Sequence, residues 1–236
     1  MRNYFVFDNN DSRDYGVYIN GGGVFNAPTR AYNPIAVPGR NGDLLLDEKR
    51  YENIEVIYPA FIVRDFNNNL SDLRDMLLSV NGYARLEDSY NSDEFRLGYF
   101  SGGIEVEPTA RLDAGNFELL FTCKPQRFLK SGETVTTITS ASGTISNPTE
   151  FNSKPLIRVY GYGTLTINSD VITIASGYNY IDIDCDIQDC YYGTTNANSK
   201  VTFQSNDFPV LVPGSNGVSR AGNITKIEIT PRWWKL

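Results

Sequence analysis

Val37-Pro38-Gly39-Arg40-Asn41-Gly42 packs two chain-reversal signals into six consecutive residues. Pro38-Gly39 favours a type II turn, because proline presets φ at the first corner and glycine accepts φ > 0 at the second. Asn41-Gly42 is a strong short hairpin signal, since both corners of a type I′ turn need positive φ. Arg40 lies between the two signals. The segment reads as a fixed loop rather than a slack one. Taken alone, it predicts a plain hairpin.

Outward from that loop, Gly and Pro recur along the whole chain and β-formers fill the gaps. Phe117-Glu118-Leu119-Leu120-Phe121, Thr164-Leu165-Thr166-Ile167 and Ile224-Thr225-Lys226-Ile227-Glu228-Ile229 are examples. Short strands bounded by turn residues predict a mainly β chain. One stretch departs from this rhythm. Leu70, Leu73, Met76, Leu77 and Val80 fall three or four apart, which lines one face of a helix. Asn69 can cap its start, Asp72 suits the first turn, and Gly82 can stop it. That helix is expected to cover one face of a sheet.

The clearest alternation runs from Tyr178 to Ile187. Ile181, Ile183, Cys185 and Ile187 fall on one side of a strand, and Tyr178, Tyr180, Asp182, Asp184 and Asp186 on the other. The first side is expected to face a core, the second water or a partner. Several such strands predict a sandwich. Residues 134–152 are rich in Thr, Ser, Gly and Asn, and read equally as a linker or an edge strand. A domain boundary is therefore expected near Ser131-Gly132-Glu133, giving domains 1–132 and 133–236.

Composition excludes several classes of function. The 236-residue chain carries a formal net charge of −7, with 21 basic and 28 acidic residues. A clamp on nucleic acid needs a basic stripe that releases counterions, so sequence-specific nucleic-acid binding is not expected. No apolar run approaches the ~20 residues that cross a bilayer, so membrane insertion is not expected. The N-terminal apolar stretch is short for a signal peptide. With no histidine and three cysteines, Ser-His-Asp and Cys-His nucleophiles are ruled out, and the commonest zinc ligand is missing. Cys185 and Cys190 fall on opposite faces of an extended strand, and Cys123 is remote; buried inert thiols are the expected reading. The odd count without a secretion signal fits a reducing compartment.

Other candidate chemistry is weak. Asp182, Asp184 and Asp186 lack the Gly and Glu that a calcium loop starting at Asp182 requires, and side chains two apart on a strand form a line rather than a cage. Gly21-Gly22-Gly23 is followed by Val-Phe-Asn, not by the Lys-Ser/Thr of a phosphate loop. No acid stands isolated in apolar surroundings, as acid catalysis of glycoside cleavage prefers. No enzyme activity, cofactor or metal is expected. Arg158, Tyr160 and Tyr162, with Tyr178 and Tyr180, place aromatics beside polar groups and are candidate sugar contacts. A carbohydrate-binding module for host cell-wall saccharides is thus the alternative function, to be tested by a glycan screen.

Several segments form an ordered set with the opening loop. Pro28-Thr29-Arg30-Ala31-Tyr32 precedes it. Leu86-Glu87-Asp88-Ser89-Tyr90 and Phe121-Thr122-Cys123-Lys124-Pro125-Gln126-Arg127-Phe128 follow. Then come Ser153-Lys154-Pro155-Leu156-Ile157, Phe208-Pro209-Val210-Leu211-Val212-Pro213-Gly214 and Ile229-Thr230-Pro231-Arg232-Trp233-Trp234. In this order and spacing they resemble the siphophage distal tail protein family, from about Phe25 to the last residue.

That resemblance implies a ring-forming N-terminal β domain and a C-terminal galectin-like or jelly-roll β-sandwich. It implies a structural virion protein at the phage tail tip. A hexameric ring, or paired rings, would join the major tail tube protein to the baseplate and leave a channel for DNA. Pro38, Gly39, Arg40, Asn41, Gly42, Trp233 and Trp234 are the architectural candidates, with Arg40 contacting its own chain or a neighbour. Some relatives carry a long arm in the second domain; here 191–213 is compact, so a tail-associated lysin or tail fibre is the expected baseplate partner. Adjacent strand residues point to opposite faces, so one of Trp233 and Trp234 is expected in the core. The other is expected against a second layer, the first domain or another chain.

Overall fold

The computed structural model describes residues 2–108 and 114–236. The chain divides into two compact units, one running to Arg127 and including Leu236, the other Phe128–Lys235. The division falls ahead of the Ser131-Gly132-Glu133 turn.

The first unit contains β1 (Phe5–Phe7), β2 (Asn10–Asp11), β3 (Val17–Ile19), β4 (Arg30–Ile35), β5 (Leu44–Tyr51), β6 (Ile54–Ile62), α1 (Phe66–Ser79), β7 (Ala84–Asp88), β8 (Glu94–Phe100), β9 (Val106–Pro108) and β10 (Gly115–Cys123). Its main sheet runs β2-β1-β7-β8-β10-β6-β3, with β9 also paired to β10. The spine is the antiparallel β6–β10 pair, in register from Gly115↔Ile62 to Cys123↔Ile54. Both strands alternate strictly between buried and open positions over most of their length, as a sheet with one face on a core must. On the inner face Phe121 stands amid Phe5, Phe7, Tyr58 and Phe100, at centroid distances of 5.1–6.0 Å, edge-on to each. This is the geometry aromatic quadrupoles favour.

Helix α1 covers that core with Phe66, Leu70, Leu73, Met76 and Leu77. Its start differs from the sequence expectation. The cap position is Asp65, in the left-handed region at φ 50°, and the first turn has no acidic residue. Asn69 lies inside the helix instead, with its amide donating to the Arg64 carbonyl at 3.0 Å. The expectation missed Phe66 because a lone aromatic one turn ahead of Leu70 also reads as a strand end. The helix can press on β10 because Gly115 has no side chain; a Cβ there would lie 2.5 Å from the Phe66 ring.

The second unit opens with β11 (Arg127–Leu129), which starts at the boundary. There follow β12 (Thr136–Ile138), β13 (Ser142–Asn147), β14 (Leu156–Tyr160), β15 (Gly163–Ile167), β16 (Asp170–Ile174), β17 (Tyr180–Asp184), β18 (Asp189–Tyr192), β19 (Thr195–Asn196), β20 (Val201–Phe203), β21 (Gly214–Gly222), β22 (Lys226–Thr230) and β23 (Trp234–Lys235). One sheet runs β12-β22-β14-β17-β18-β19 and the other β13-β21-β15-β16-β20. Ile157, Val159, Ile181, Ile183, Ile227 and Ile229 from the first sheet meet Leu165, Ile167, Ile172, Ile174 and Val218 from the second in one buried cluster. This is the expected β-sandwich, and the protein is mainly β, with one α-helix among the described residues. The Thr- and Ser-rich stretch after residue 133 is a pair of edge strands rather than a linker, because β12 and β13 each end a sheet.

The second unit corrects the alternation around residue 182. Ile181 and Ile183 face the core, but Asp182 and Asp184 are also buried, at 3% and 5% exposure. The strand ends at Asp184, and Ile187 is exposed in the turn that follows. Each buried acid is matched by an arginine from an adjacent segment. Arg158 Nε and Nη2 donate to Asp182 at 2.7 and 2.8 Å. Arg232 Nη1 and Nη2 donate to Asp184 at 2.6 and 2.8 Å. Two-pronged pairing of this kind offsets the cost of desolvating the charges.

Burial by itself would raise the Asp184 carboxyl. The Arg232 hydrogen bonds and charge, with the backbone N–H groups of Asp186 and Ile187, outweigh it and hold the group below its usual range. A carboxylate whose folded pKa is depressed contributes stability above its unfolded pKa and loses it as pH falls through the folded value. Asp184→Asn is therefore expected to cost about 3 kcal/mol at neutral pH, since it leaves Arg232 unmatched. Urea unfolding should show the deficit shrinking as the pH drops below the ordinary carboxylate range; an equal deficit at every pH would contradict this pairing.

Candidate assembly surface

Among the described residues, strands β4 and β5 pair only with each other, outside the main sheet. Their register is Tyr32↔Asp47, Asn33↔Leu46, Pro34↔Leu45 and Ile35↔Leu44, with an irregularity between Arg30 and Tyr32. The predicted loop connects them. The Arg40 N–H donates to the Val37 carbonyl at 3.1 Å, and Gly39 has φ 77°; this is the type II turn expected at Pro38-Gly39. The Asn41-Gly42 expectation needs correction, because only Gly42, at φ 80°, has positive φ. A type I′ turn needs it at both corners, so Asn41-Gly42 is not one.

The arm's base is clamped. Arg30 Nη2 donates to Asp47 Oδ2 at 2.5 Å, and Arg30 Nη1 to the Tyr51 hydroxyl at 3.0 Å. The Arg30 hydrogen bonds hold Asp47 below the usual carboxylate range. Beyond the clamp, everything from Tyr32 to Leu46 is exposed. Paired residues share a face, so Tyr32, Pro34 and Leu45 lie on one side and Ile35, Leu44 and Leu46 on the other. Leu44, Leu45 and Leu46 are 49%, 61% and 57% exposed. An isolated two-stranded ribbon is marginal in water. This one carries exposed aliphatic side chains on both faces. Full burial of a Leu or Ile is worth about 1.5–3 kcal/mol, so covering this set outweighs a considerable ordering cost. Arg40 at the tip has no side-chain partner among the described residues.

A second surface is the open face of β6 and β10. An open groove of about 900 Å³ lies there, lined by Glu55, Ile57, Pro59, Glu105, Asn116 and Glu118 among others. Three carboxylates border it and, among the described residues, no cation does. Among the described residues, no group of three or more His, Cys, Asp or Glu has the geometry to hold a metal ion.

Four of the five sugar-contact candidates come together. Tyr160 pairs with Tyr180 across β14 and β17. Tyr192 completes the strip at 4.8 Å from both Tyr178 and Tyr180. Arg158 lies over the Tyr180 ring at 4.4 Å. Tyr162 stands apart, exposed in the turn after β14. The strip's charged groups are already engaged. Arg158 is held by Asp182, and the Tyr160 hydroxyl and Lys226 both donate to Glu228 at 2.9 and 2.8 Å. A saccharide here would find aromatic faces but few unspent charged donors.

Trp233 is the inward-facing tryptophan, 5% exposed in the second unit's core. Trp234 finds its second layer within the same unit. It stacks on Phe151 at 4.5 Å and donates from Nε1 to the Asn152 carbonyl at 3.0 Å. The three thiols are buried, and burial pushes Cys123 and Cys190 up to about 12. Sequence reasoning missed Leu44-Leu45-Leu46, Tyr192 and Arg232. Only the leucines left a signal: an unbroken aliphatic run directly after a turn that must face water.

Among known proteins, no family model and no curated protein matches this sequence. Solved structures do. SPP1 Dit (gp 19.1), described as a paradigm of the hub adsorption apparatus in phages infecting Gram-positive hosts, superposes with a TM-score of 0.76 over 100% of both chains at 14% identity. The phage P2 baseplate in its activated conformation, solved with Ca and with Sr, reaches a TM-score of 0.48 over 97% of both chains at 11% identity. This chain shares its fold with SPP1 Dit over the whole of both chains.

Proposed function

We propose that this chain is a distal tail hub protein of a siphophage. Copies of it close into a ring at the tail tip, between the tail tube and the baseplate, and leave a channel for DNA. The observation that carries the proposal is the likeness to SPP1 Dit across the whole of both chains. The likeness takes in both units of this chain rather than one module, and that supports the hub reading.

The two-faced arm gives the ring its physical rationale. A ribbon apolar on both sides needs a surface above and one below, and a neighbouring copy supplies them. Closed symmetry then satisfies every arm without leaving a sticky end. Six copies around the axis are the expected closure. The groove face, with Glu55, Glu105 and Glu118, suits a channel wall, because carboxylates offer DNA few counterion-releasing contacts and let it slide. The outer partners are the major tail tube protein on one side and a tail-associated lysin, fibre or other baseplate protein on the other. The second unit, a galectin-like sandwich in this reading, serves as a docking collar. The action is geometric and not catalytic: fixing symmetry, holding an open passage and presenting docking faces.

The test is the mass and shape of the purified chain, against the 26.4 kDa subunit. Light scattering and negative-stain microscopy should show a multimer with a central hole. Leu44→Ser, Leu45→Ser and Leu46→Ser combined should leave a folded monomer, with circular dichroism unchanged. A ring that survives the triple substitution removes the arm from the assembly; a native chain that stays monomeric at every concentration and with baseplate partners removes the ring.

A further inference from the structure

The chain holds four Asn-Gly pairs, at 20–21, 41–42, 81–82 and 216–217. Asn-Gly is the peptide sequence most open to intramolecular attack by backbone nitrogen on a side-chain amide, because glycine adds no Cβ to hinder the approach. The attack also needs a mobile side chain and a backbone free to rotate. The four sites differ in those respects.

Asn216 is fully buried. Its amide donates to the carbonyls of Val212 and Gly214 at 2.8 and 3.0 Å and accepts from Asn168 and the Val212 N–H, both at 2.8 Å. The Gly217 N–H, which would have to attack, donates to Asn168 Oδ1 at 3.0 Å. Asn20 is pinned through its backbone: its N–H donates to the Pro59 carbonyl at 2.8 Å, and its own carbonyl accepts from the Tyr90 hydroxyl at 2.8 Å. Asn41 is exposed at the arm tip with no side-chain hydrogen bond among the described residues, and Gly42 has nothing within 4 Å of where a Cβ would lie. Asn81, just past α1, is similarly open.

We propose that Asn41-Gly42 is a self-modification site that converts the tip of the arm from neutral to acidic. The deprotonated Gly42 backbone nitrogen attacks Asn41 Cγ. The new C–N bond closes a five-membered succinimide, and the Cγ–Nδ2 bond breaks to release ammonia. Water then opens either ring carbonyl, giving aspartate or isoaspartate; the net change is amide plus water to carboxylate plus ammonium. Each event places a negative charge directly after Arg40. The isoaspartate product also inserts a methylene into the backbone beside the turn closed at Val37. The chemistry is independent of assembly. Its consequence rests on the ring reading: where a neighbouring copy covers the arm, conversion ages unassembled subunits and spares assembled ones.

The experiment incubates the purified full-length chain in mildly alkaline buffer, in parallel with and without urea, and follows all four sites by peptide mass spectrometry. In the native sample acid should accumulate at Asn41 and Asn81 while Asn20 and Asn216 remain amide. In urea the protection of Asn20 and Asn216 should be lost. Asn41→Gln should remove the signal at that position. Native conversion at Asn41 no faster than at Asn216 overturns the proposal, as does a site preference that urea leaves unchanged. The Asn41 rate is read on the monomeric fraction, where the arm is uncovered, so absence of a ring does not disturb it. Separating the two size fractions shows whether assembly slows Asn41.

Discussion

Trp233→Ala is expected to unfold the second unit at physiological temperature while the first stays folded. The indole is almost wholly buried in the sandwich core, and large aromatic truncations cost about 3–5 kcal/mol. Trp233 also anchors the chain end. Its carbonyl accepts from the Leu129 N–H at 2.9 Å, while the Arg232 N–H donates to the Gly132 carbonyl at 2.8 Å. A side chain at Gly132 would lie 2.3 Å from the Trp233 backbone nitrogen, so the two segments meet at backbone distance. Against a stability of about 5–15 kcal/mol for a whole domain, the loss is a large share. Calorimetry should show one transition falling by roughly 15 °C or more and the other in place. Trp234→Ala removes one stacked ring and one hydrogen bond at a half-open site, and should cost about 1–2 kcal/mol. Removing residues 233–236 should act like Trp233→Ala with that cost added. Equal effects from the two single substitutions would mean that the inward and outward assignments are wrong.

Phe121→Ala is expected to do to the first unit what Trp233→Ala does to the second. Phe121 is fully buried and touches four other rings. Two of these, Phe5 and Phe7, belong to β1, and Phe100 belongs to β8. The substitution opens a cavity at the point where the first strand of the chain is fastened to the central pair. The expected cost is about 3–5 kcal/mol for the cavity and transfer together. Phe121→Leu, closer in volume, should cost less than half of that. Amide exchange would locate the damage: β1 and β7 should lose protection before β6 and β10. A loss under about 1 kcal/mol for the alanine variant would show that the aromatic cluster is not the keystone of this unit.

The two units were not equally legible. In the first, β6 and β10 advertise themselves by alternation, and the apolar spacing from Leu70 to Leu77 reveals a helix face. The start of that helix was misplaced because Asp65, not Asn69, takes the cap position, in a left-handed conformation no local pattern announces. The turn at Pro38-Gly39 was readable because both residues impose their own φ. The neighbouring Asn41-Gly42 signal carried less, since asparagine only tolerates positive φ and here does not adopt it. In the second unit the alternation at 178–187 located a strand but assigned its acids to water or a partner. Asp182 and Asp184 are buried because Arg158 and Arg232 arrive from β14 and from the segment after β22, and sequence separation hides such partners.

Local chemistry alone therefore settled the class of this molecule. Turn residues, two-residue periodicity and the absence of histidine made it a mainly β chain without the usual catalytic constellations. Tertiary structure alone decided what the polar and apolar outliers are for. It joined distant arginines to buried aspartates, gave Trp234 its Phe151, and left Leu44, Leu45 and Leu46 on a ribbon that no part of its own main sheet covers. The reason is physical: φ preferences and alternation act over a few residues, whereas burial depends on which strands, far apart in the chain, end up side by side.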